Sequence, residues 1–264
     1  MTAPRKSFVW SDYASPAFRD IDPVKTIAIL PIAATEQHGP HLPLCTDSAI
    51  NRGHLDALIA AAPGNLDFRI LPVQEIGKSN EHQRMPGTLT IPAGVLIDLW
   101  TEIGLSVARA GVRKLVFVNS HGGNEEVMGI VARELRVRAS MLVVKSGWMR
   151  FGKPEGIFSD RESRFGIHGG DVETSLMLHF RPDLVDMAEA RDFASVAEQD
   201  EKRYTHLRPT GTLAYAWIAD DLNPDGAVGE AHLATAEKGS RQCAHAVAGF
   251  IDMLREVASA PLPD

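Results

Sequence analysis

Two cysteines in 264 residues, Cys45 and Cys243, cannot build a disulfide framework, and such sparing use fits a reducing, cytoplasmic compartment. Aromatic residues are scarce as well, at 6%. No stretch approaches the ~20 consecutive apolar residues of a membrane helix, so no membrane partner is expected. Basic residues are outnumbered, 27 Lys and Arg against 34 Asp and Glu, for a formal charge of −7. That balance argues against sequence-independent nucleic-acid binding, which needs a basic face to neutralise phosphates. The opening MTAPRKSFVWSDY has basic residues without an apolar run behind them, so no signal peptide is expected. What is present is ordinary for a globular protein: 44% hydrophobic and 23% charged residues, which excludes extensive disorder. A chain of this length can bury a sizeable core without staples.

Apolar runs and helical spacing alternate along the chain. Residues 26–33 (TIAILPIA) read as a buried strand, 47–62 as a helix stopped by Pro63 and Gly64, and 69–73 as a second strand. Residues 77–92 read as a loop. Residues 93–110 read as a helix ending before Gly111, and 114–119 (KLVFVN) as the clearest buried strand. After the turn 120–124 come a helix over 125–138 and a strand over 141–145. Residues 150–165 read as a polar stretch, a helix opens at Gly169-Gly170-Asp171 and runs to His179, 190–225 read as irregular, and 231–257 as a long helix. There is no repeat and no linker-like segment. Strands alternating with helices imply one α/β domain over residues 1–264: a mostly parallel sheet with helices on both faces. In such folds ligands bind beyond the carboxyl ends of the strands.

Three polar motifs fall at such places. Thr35-Glu36-Gln37-His38-Gly39-Pro40-His41 follows the first strand. Glu36 and His38 are two apart, so in extended backbone their side chains point the same way. Asp47 opens the next helix, where it could equally be a simple N-cap. Asn119-Ser120-His121-Gly122-Gly123-Asn124 follows the strand KLVFVN. His168-Gly169-Gly170-Asp171-Val172-Glu173 opens a later helix, where Glu173 also suits the helix dipole. Glu36, His38, Asp47, His121 and Glu173 together make an inventory for two adjacent divalent ions sharing a carboxylate and a water. Mixed imidazole and carboxylate donors suit Zn²⁺, Mn²⁺ or Fe²⁺. No G-x-S-x-G, G-x-G-x-x-G, G-x-x-x-x-G-K-[ST] or H-E-x-x-H occurs, which leaves the common serine-hydrolase, nucleotide and zinc-peptidase plans without support.

The segments TEQHGPHLPLCTD (35–47), PGT (86–88), NSHGGN (119–124) and HGGDVETSLML (168–178) resemble the creatininase family of metal-dependent amidohydrolases. The resemblance implies an α/β fold, a binuclear metal centre and hydrolysis of a C–N bond in a cyclic or unusual amide. It also implies a small-molecule substrate and closed homo-oligomers, often hexamers. By motif, Glu36, His38, Asp47 and His121 match metal ligands, with Asp47 bridging, and His168 matches a residue that handles protons at the substrate. The sequence departs from creatininase proper, whose second motif carries a Tyr-Glu pair with the Glu as a ligand. Here those positions are Gly122 and Gly123, and Glu173 is expected to supply the missing carboxylate. Trp148 sits where one of the tryptophans enclosing creatinine would fall. His82 and Asn124 are further candidates for substrate contacts.

The leading expectation is therefore a dimetal hydrolase of a cyclic amide or related metabolite. A second reading keeps the metals and changes the substrate, since relatives of this family include a deformylase, a peptide-trimming enzyme and a ring-opening hydrolase. A deformylase of a nucleotide would need a phosphate patch, for which Arg84, Arg161 and Arg164 are the available residues. A non-catalytic metal-binding scaffold is the reading from another class. The complete ligand set together with His168 argues against it.

Overall fold

The computed structural model describes residues 7–264. Residues 1–6 lie outside them, and with them part of the segment on which the signal-peptide expectation rests. The central sheet has the strands β1 (Ile27–Ile32), β2 (Phe68–Ile70), β3 (Lys114–Asn119) and β4 (Leu142–Gly147), in the order β2-β1-β3-β4. All three pairings are parallel. Every residue of β1 and β3 is buried, as expected for parallel strands covered on both sides.

Alternate residues of these strands face two separate cores. Ile27, Ile29, Val116 and Val118 pack with α1 (Thr46–Ala61), α5 (Asp171–Phe180) and α8 (Ala236–Ser259). Ala28, Leu30, Ile32, Leu115 and Phe117 pack with α2 (Ala93–Arg109) and α3 (Glu125–Ala139). The expected parallel sheet with helices on both faces is thus the observed one. The chain leaves β1 for β2 on one side and returns to β3 on the other. The crevice beyond the ends of β1 and β3 is therefore the topological switch point, where ligands bind in such sheets.

The differences from expectation lie mostly at the edges. Residues 150–165 contain α4 (Asp160–Phe165), because Ser159 Oγ accepts from Glu162 N at 2.8 Å and caps it. The stretch 190–225 is not wholly irregular. It holds β5 (Asp192–Phe193), which pairs antiparallel with β6 (Gly229–Glu230), and the short helices α6 (Ala197–Arg203) and α7 (Ala219–Leu222). The last helix starts at Ala236 rather than 231, because the Thr235 hydroxyl accepts from Lys238 N there. The β2 ladder stops short of Pro72, which has no N–H to offer it.

One fold contact carries a prediction. Lys114, at the start of β3, is fully buried. Its Nζ donates to Val257 O, Ala258 O and Ala260 O at 2.7, 2.9 and 2.7 Å. These are carbonyls at the C-terminal end of α8, which otherwise lack intrahelical partners. Lys114→Met is expected to lower the unfolding free energy by about 3 kcal/mol, the scale of losing charged hydrogen bonds and leaving buried acceptors unpaired. Urea unfolding followed by circular dichroism measures it, and an unchanged midpoint would contradict the clamp.

Candidate metal centre and its cleft

Glu36 and His38 follow β1 and, as their spacing requires, point into the same crevice. The Glu36 carboxylate is completely buried. Its Oε1 lies 3.0 Å from His121 Nδ1, 3.6 Å from His82 Nε2, 3.8 Å from His168 Nδ1 and 4.0 Å from His38 Nε2. Asp47 makes no N-cap hydrogen bond in α1. Its carboxylate turns inward instead, with Oδ1 3.5 Å from His38 Nε2 and Oδ2 3.5 Å from His121 Nδ1. Glu173 also reaches the cluster: Oε2 is 3.8 Å from His38 Nε2 while accepting from Gly169 N at 2.6 Å.

Three triads have donor atoms mutually within 4.8 Å: Glu36 with Asp47 and His121, His38 with Asp47 and Glu173, and Glu36 with His38 and His168. Asp47 belongs to the first two, one oxygen toward each histidine. Both Glu36 oxygens, His38 Nε2 and Asp47 Oδ2 are buried without a hydrogen-bond partner. Orphaned polar atoms of this kind are costly and uncommon, and here they converge on one space. The donor set fits two divalent ions. The opposite ring nitrogens are occupied: His38 Nδ1 lies 3.1 Å from Glu36 O, His121 Nε2 2.9 Å from Lys78 O, and His168 Nε2 2.7 Å from Gln37 O. Carbonyl acceptors there assign an N–H to that side and turn the other ring nitrogen toward the crevice.

The charges are strongly perturbed. Burial alone would lower both His38 and His121. For His38, Asp47, Glu173 and Glu36 outweigh it and raise the ring to about 9. For His121, Glu36, Asp47 and Glu81 raise it to about 10. Burial pushes Glu173 up to about 7, helped by Asp47 and against His38. Burial, then the neighbouring His38 and His82, hold His168 well below the ordinary histidine value.

The metal-free protein therefore carries two imidazolium ions in this cluster at neutral pH. Loading with Zn²⁺ at pH 7.5 is expected to release about two protons per chain, read by calorimetry in buffers of different ionisation enthalpy. Folded values raised above the ordinary 6.5 stabilise the metal-free fold fully below that value. The contribution is lost as pH rises through 9 and 10, so the metal-free Tm should fall over that range. Metal binding without proton release would contradict the assignment.

The cluster opens onto a cleft of about 450 Å³ whose walls include Lys78, Glu81, His82, His121, His168 and Trp217. His82 is where expected, its ring stacked 4.2 Å from that of His168. Trp148 is not. Its indole is completely buried, stacked 4.6 Å from His54, with Nε1 donating to Asn51 Oδ1 at 3.2 Å. It is part of the core beneath α8 and does not line this cleft. Asn124 is also spent structurally: Nδ2 donates to Ala33 O and Asn119 Oδ1, and Oδ1 accepts from Lys78 N. It stitches three loops together and presents no group to a substrate.

Three residues in or behind the cleft escaped the sequence reading. Trp217 supplies the aromatic wall, 6.4 Å edge-on from His82. Gln37 Nε2 donates to His82 Nδ1 at 2.8 Å and to Gly226 O at 2.8 Å, fixing that ring. Glu81 lies 3.5 Å from His121 Nε2 and fills the space beside Gly123, where a Cβ would overlap Glu81 Oε1 and Lys78 O. A Cβ on Gly122 would meet nothing within 4 Å, so the cleft is open on that side.

The loop carrying His168 is braced from behind. The buried Glu162 carboxylate accepts from Val172 N at 3.2 Å and Glu230 N at 2.8 Å. Side chains at Gly166, Gly170 or Gly229 would each collide with it. Gly169 has φ +64, which lets the chain turn between His168 and α5 at no steric cost. The arginines considered for a phosphate patch are neutralised: Arg84 by Asp220, Arg161 by Asp192, Glu198 and Glu230, and Arg164 by Glu201.

A family profile described as creatininase, creatinine amidohydrolase, matches residues 11–254. A mycofactocin precursor peptide peptidase of Mycolicibacterium smegmatis is 31% identical over 241 residues, spanning 90% of this chain and 87% of that protein. A creatinine amidohydrolase of Pseudomonas putida is 30% identical over 245 residues, spanning 87% and 89%. Among solved structures, a manganese creatininase superposes with a TM-score of 0.73 at 24% identity, covering 97% of this chain and all of that one. A creatininase variant in a Zn–Zn form gives the same values. These structural likenesses speak to the fold. Among the described residues, no helix is long and apolar enough to cross a membrane.

Proposed function

The chain belongs to the creatininase family of hydrolases, and on that premise we propose that it cleaves a peptide-type C–N amide bond in a substrate larger than a single small ring. The observation that carries this is the open cleft. Gly122 leaves one side of it unfilled, and a single tryptophan, Trp217, walls it. Charged Lys78, Glu81 and Glu126 line it, a surface suited to an extended polar chain rather than to enclosing a flat heterocycle. The named peptide peptidases among the relatives support the same reading.

Glu36, Asp47 and His121 would hold one ion and His38, Asp47 and Glu173 the other. When bound, the pair would supply Lewis acidity toward the amide carbonyl and an activated water near neutral pH. Zn²⁺ and Mn²⁺ are the proposed ions. His168 keeps Nε2–H on Gln37 O and faces the crevice with Nδ1. It starts neutral, accepts a proton at Nδ1, and returns it to the departing nitrogen. Its depressed proton affinity makes the charged form a strong acid, which an amine leaving group requires. The rings of His82 and His38, centred 4.2 and 4.1 Å from it, pack against it and hold it in line.

Metal-reconstituted protein assayed on linear peptides, lactam-containing peptides, formamides and creatinine tests the reading. Turnover of peptides is the expected result. Turnover of creatinine or another small cyclic amide alone would favour the cyclic-amide reading, which the creatinine amidohydrolase relative supports. Bound metal with no turnover of any amide would favour a non-catalytic protein.

A further inference from the structure

A second cavity of about 180 Å³ adjoins the cleft, sharing Ile167 and Thr210 with it. Arg164 and Arg208 line this cavity. Arg164 is paired with Glu201. Arg208 is different. It is half-buried, and its Nη1 donates to two backbone carbonyls, Tyr204 O at 2.7 Å and Leu207 O at 2.8 Å. No carboxylate among the described residues pairs with it, whereas Arg84, Arg161 and Arg164 are all matched. The two carbonyls fix one arm of the guanidinium and leave the remaining donors of a planar fork, the group best shaped for a carboxylate or phosphate. Ile167 precedes His168 directly, so a chain lying across the crevice past Ile167 and Thr210 runs into this cavity.

We infer that Arg208 forms an anion subsite of the cleft, binding a carboxylate or phosphate on the substrate's leaving side. The inference rests on the peptide reading of the cleft. It makes the protein selective for a bond near a chain's carboxyl end or near a phosphorylated side chain. The chemistry is shared by both sources, and the substrates can separate them.

The test uses zinc-loaded wild type, Arg208→Met and Arg208→Lys with one peptide in three forms: free acid, carboxyl amide, and carboxyl amide ending in phosphoserine. Wild type should prefer a form bearing the anion. Arg208→Met should raise KM for that form by about 10- to 100-fold, the scale of a lost charge-assisted hydrogen bond. The neutral amide should be unaffected, and Arg208→Lys should restore part of the loss. Whichever anionic form loses affinity identifies the source. Equal losses for all three forms in both variants, or no loss, overturns the subsite. If wild type hydrolyses none of the peptides, the peptide reading itself has failed. The subsite is then read by equilibrium dialysis of the same three intact peptides, where an anion preference abolished by Arg208→Met supports it and its absence overturns it.

Discussion

Asp47→Ala protein is expected to bind neither ion and to lose activity by about 10⁴-fold or more, the scale of removing a metal-activated water. The expectation follows from the position of the carboxylate between two histidines, Oδ1 toward His38 and Oδ2 toward His121, each at 3.5 Å. Glu36 also belongs to two triads, but Asp47 alone belongs to both of the triads that would hold an ion, Glu36 with Asp47 and His121 and His38 with Asp47 and Glu173. The fold should survive. Asp47 does not cap α1, and the contact it does make there, Ser120 Oγ to its backbone oxygen at 2.9 Å, is kept by alanine. Elemental analysis by plasma mass spectrometry gives the metal content, and circular dichroism gives the fold. Two ions per chain in the variant would rule out the bridging role.

His168→Ala separates proton transfer from metal binding. The variant should keep both ions and its fold, and should lose turnover by ~10²–10⁴, the usual worth of a general acid–base residue. The loss should shrink for substrates whose nitrogen leaves easily, such as nitroanilides, since they need less help from a proton. His168 makes its closest approach to Glu36 at 3.8 Å, and the first two triads are complete without it. Loss of both ions in this variant, or an equal drop for good and poor leaving groups, would mean that His168 is a ligand first.

The parallel sheet was legible because burial on both faces makes strands such as 114–119 continuous apolar runs, which few other elements of that length resemble. The i, i+2 relation of Glu36 and His38 was legible for a similarly local reason. Asp47 was ambiguous in sequence, since an acidic residue at a helix start has a good local use. Only the tertiary structure shows that the local use is declined. Trp148 was misplaced because its position along the chain says nothing about which face of the sheet it reaches, and it reaches the core. Trp217, Gln37 and Glu81 were invisible for a different reason. Trp217 lies in a stretch without periodicity. Gln37 works through partners 45 and 189 residues away. Glu81 matters because of the room left by Gly123, a residue far along the chain.

The brace behind His168 has a consequence for how this scaffold can change. One carboxylate, Glu162, takes the place of packing that three glycines cannot provide, and it ties α4, α5 and β6 at a single point. The bend that aims His168 is thus a preassembled part, set by contacts remote from ion and substrate alike. The neighbouring wall, with Trp217 and Arg208, is shaped by side-chain-to-carbonyl bonds within residues 204–217 and by the Tyr215 hydroxyl donating to Asp200. The aim of His168 and the wall that meets the substrate therefore depend on different sets of hydrogen bonds. Randomising that wall offers a route to new substrates while leaving the reacting geometry intact, and a library confined to 204–217 should yield altered specificity far more often than dead protein.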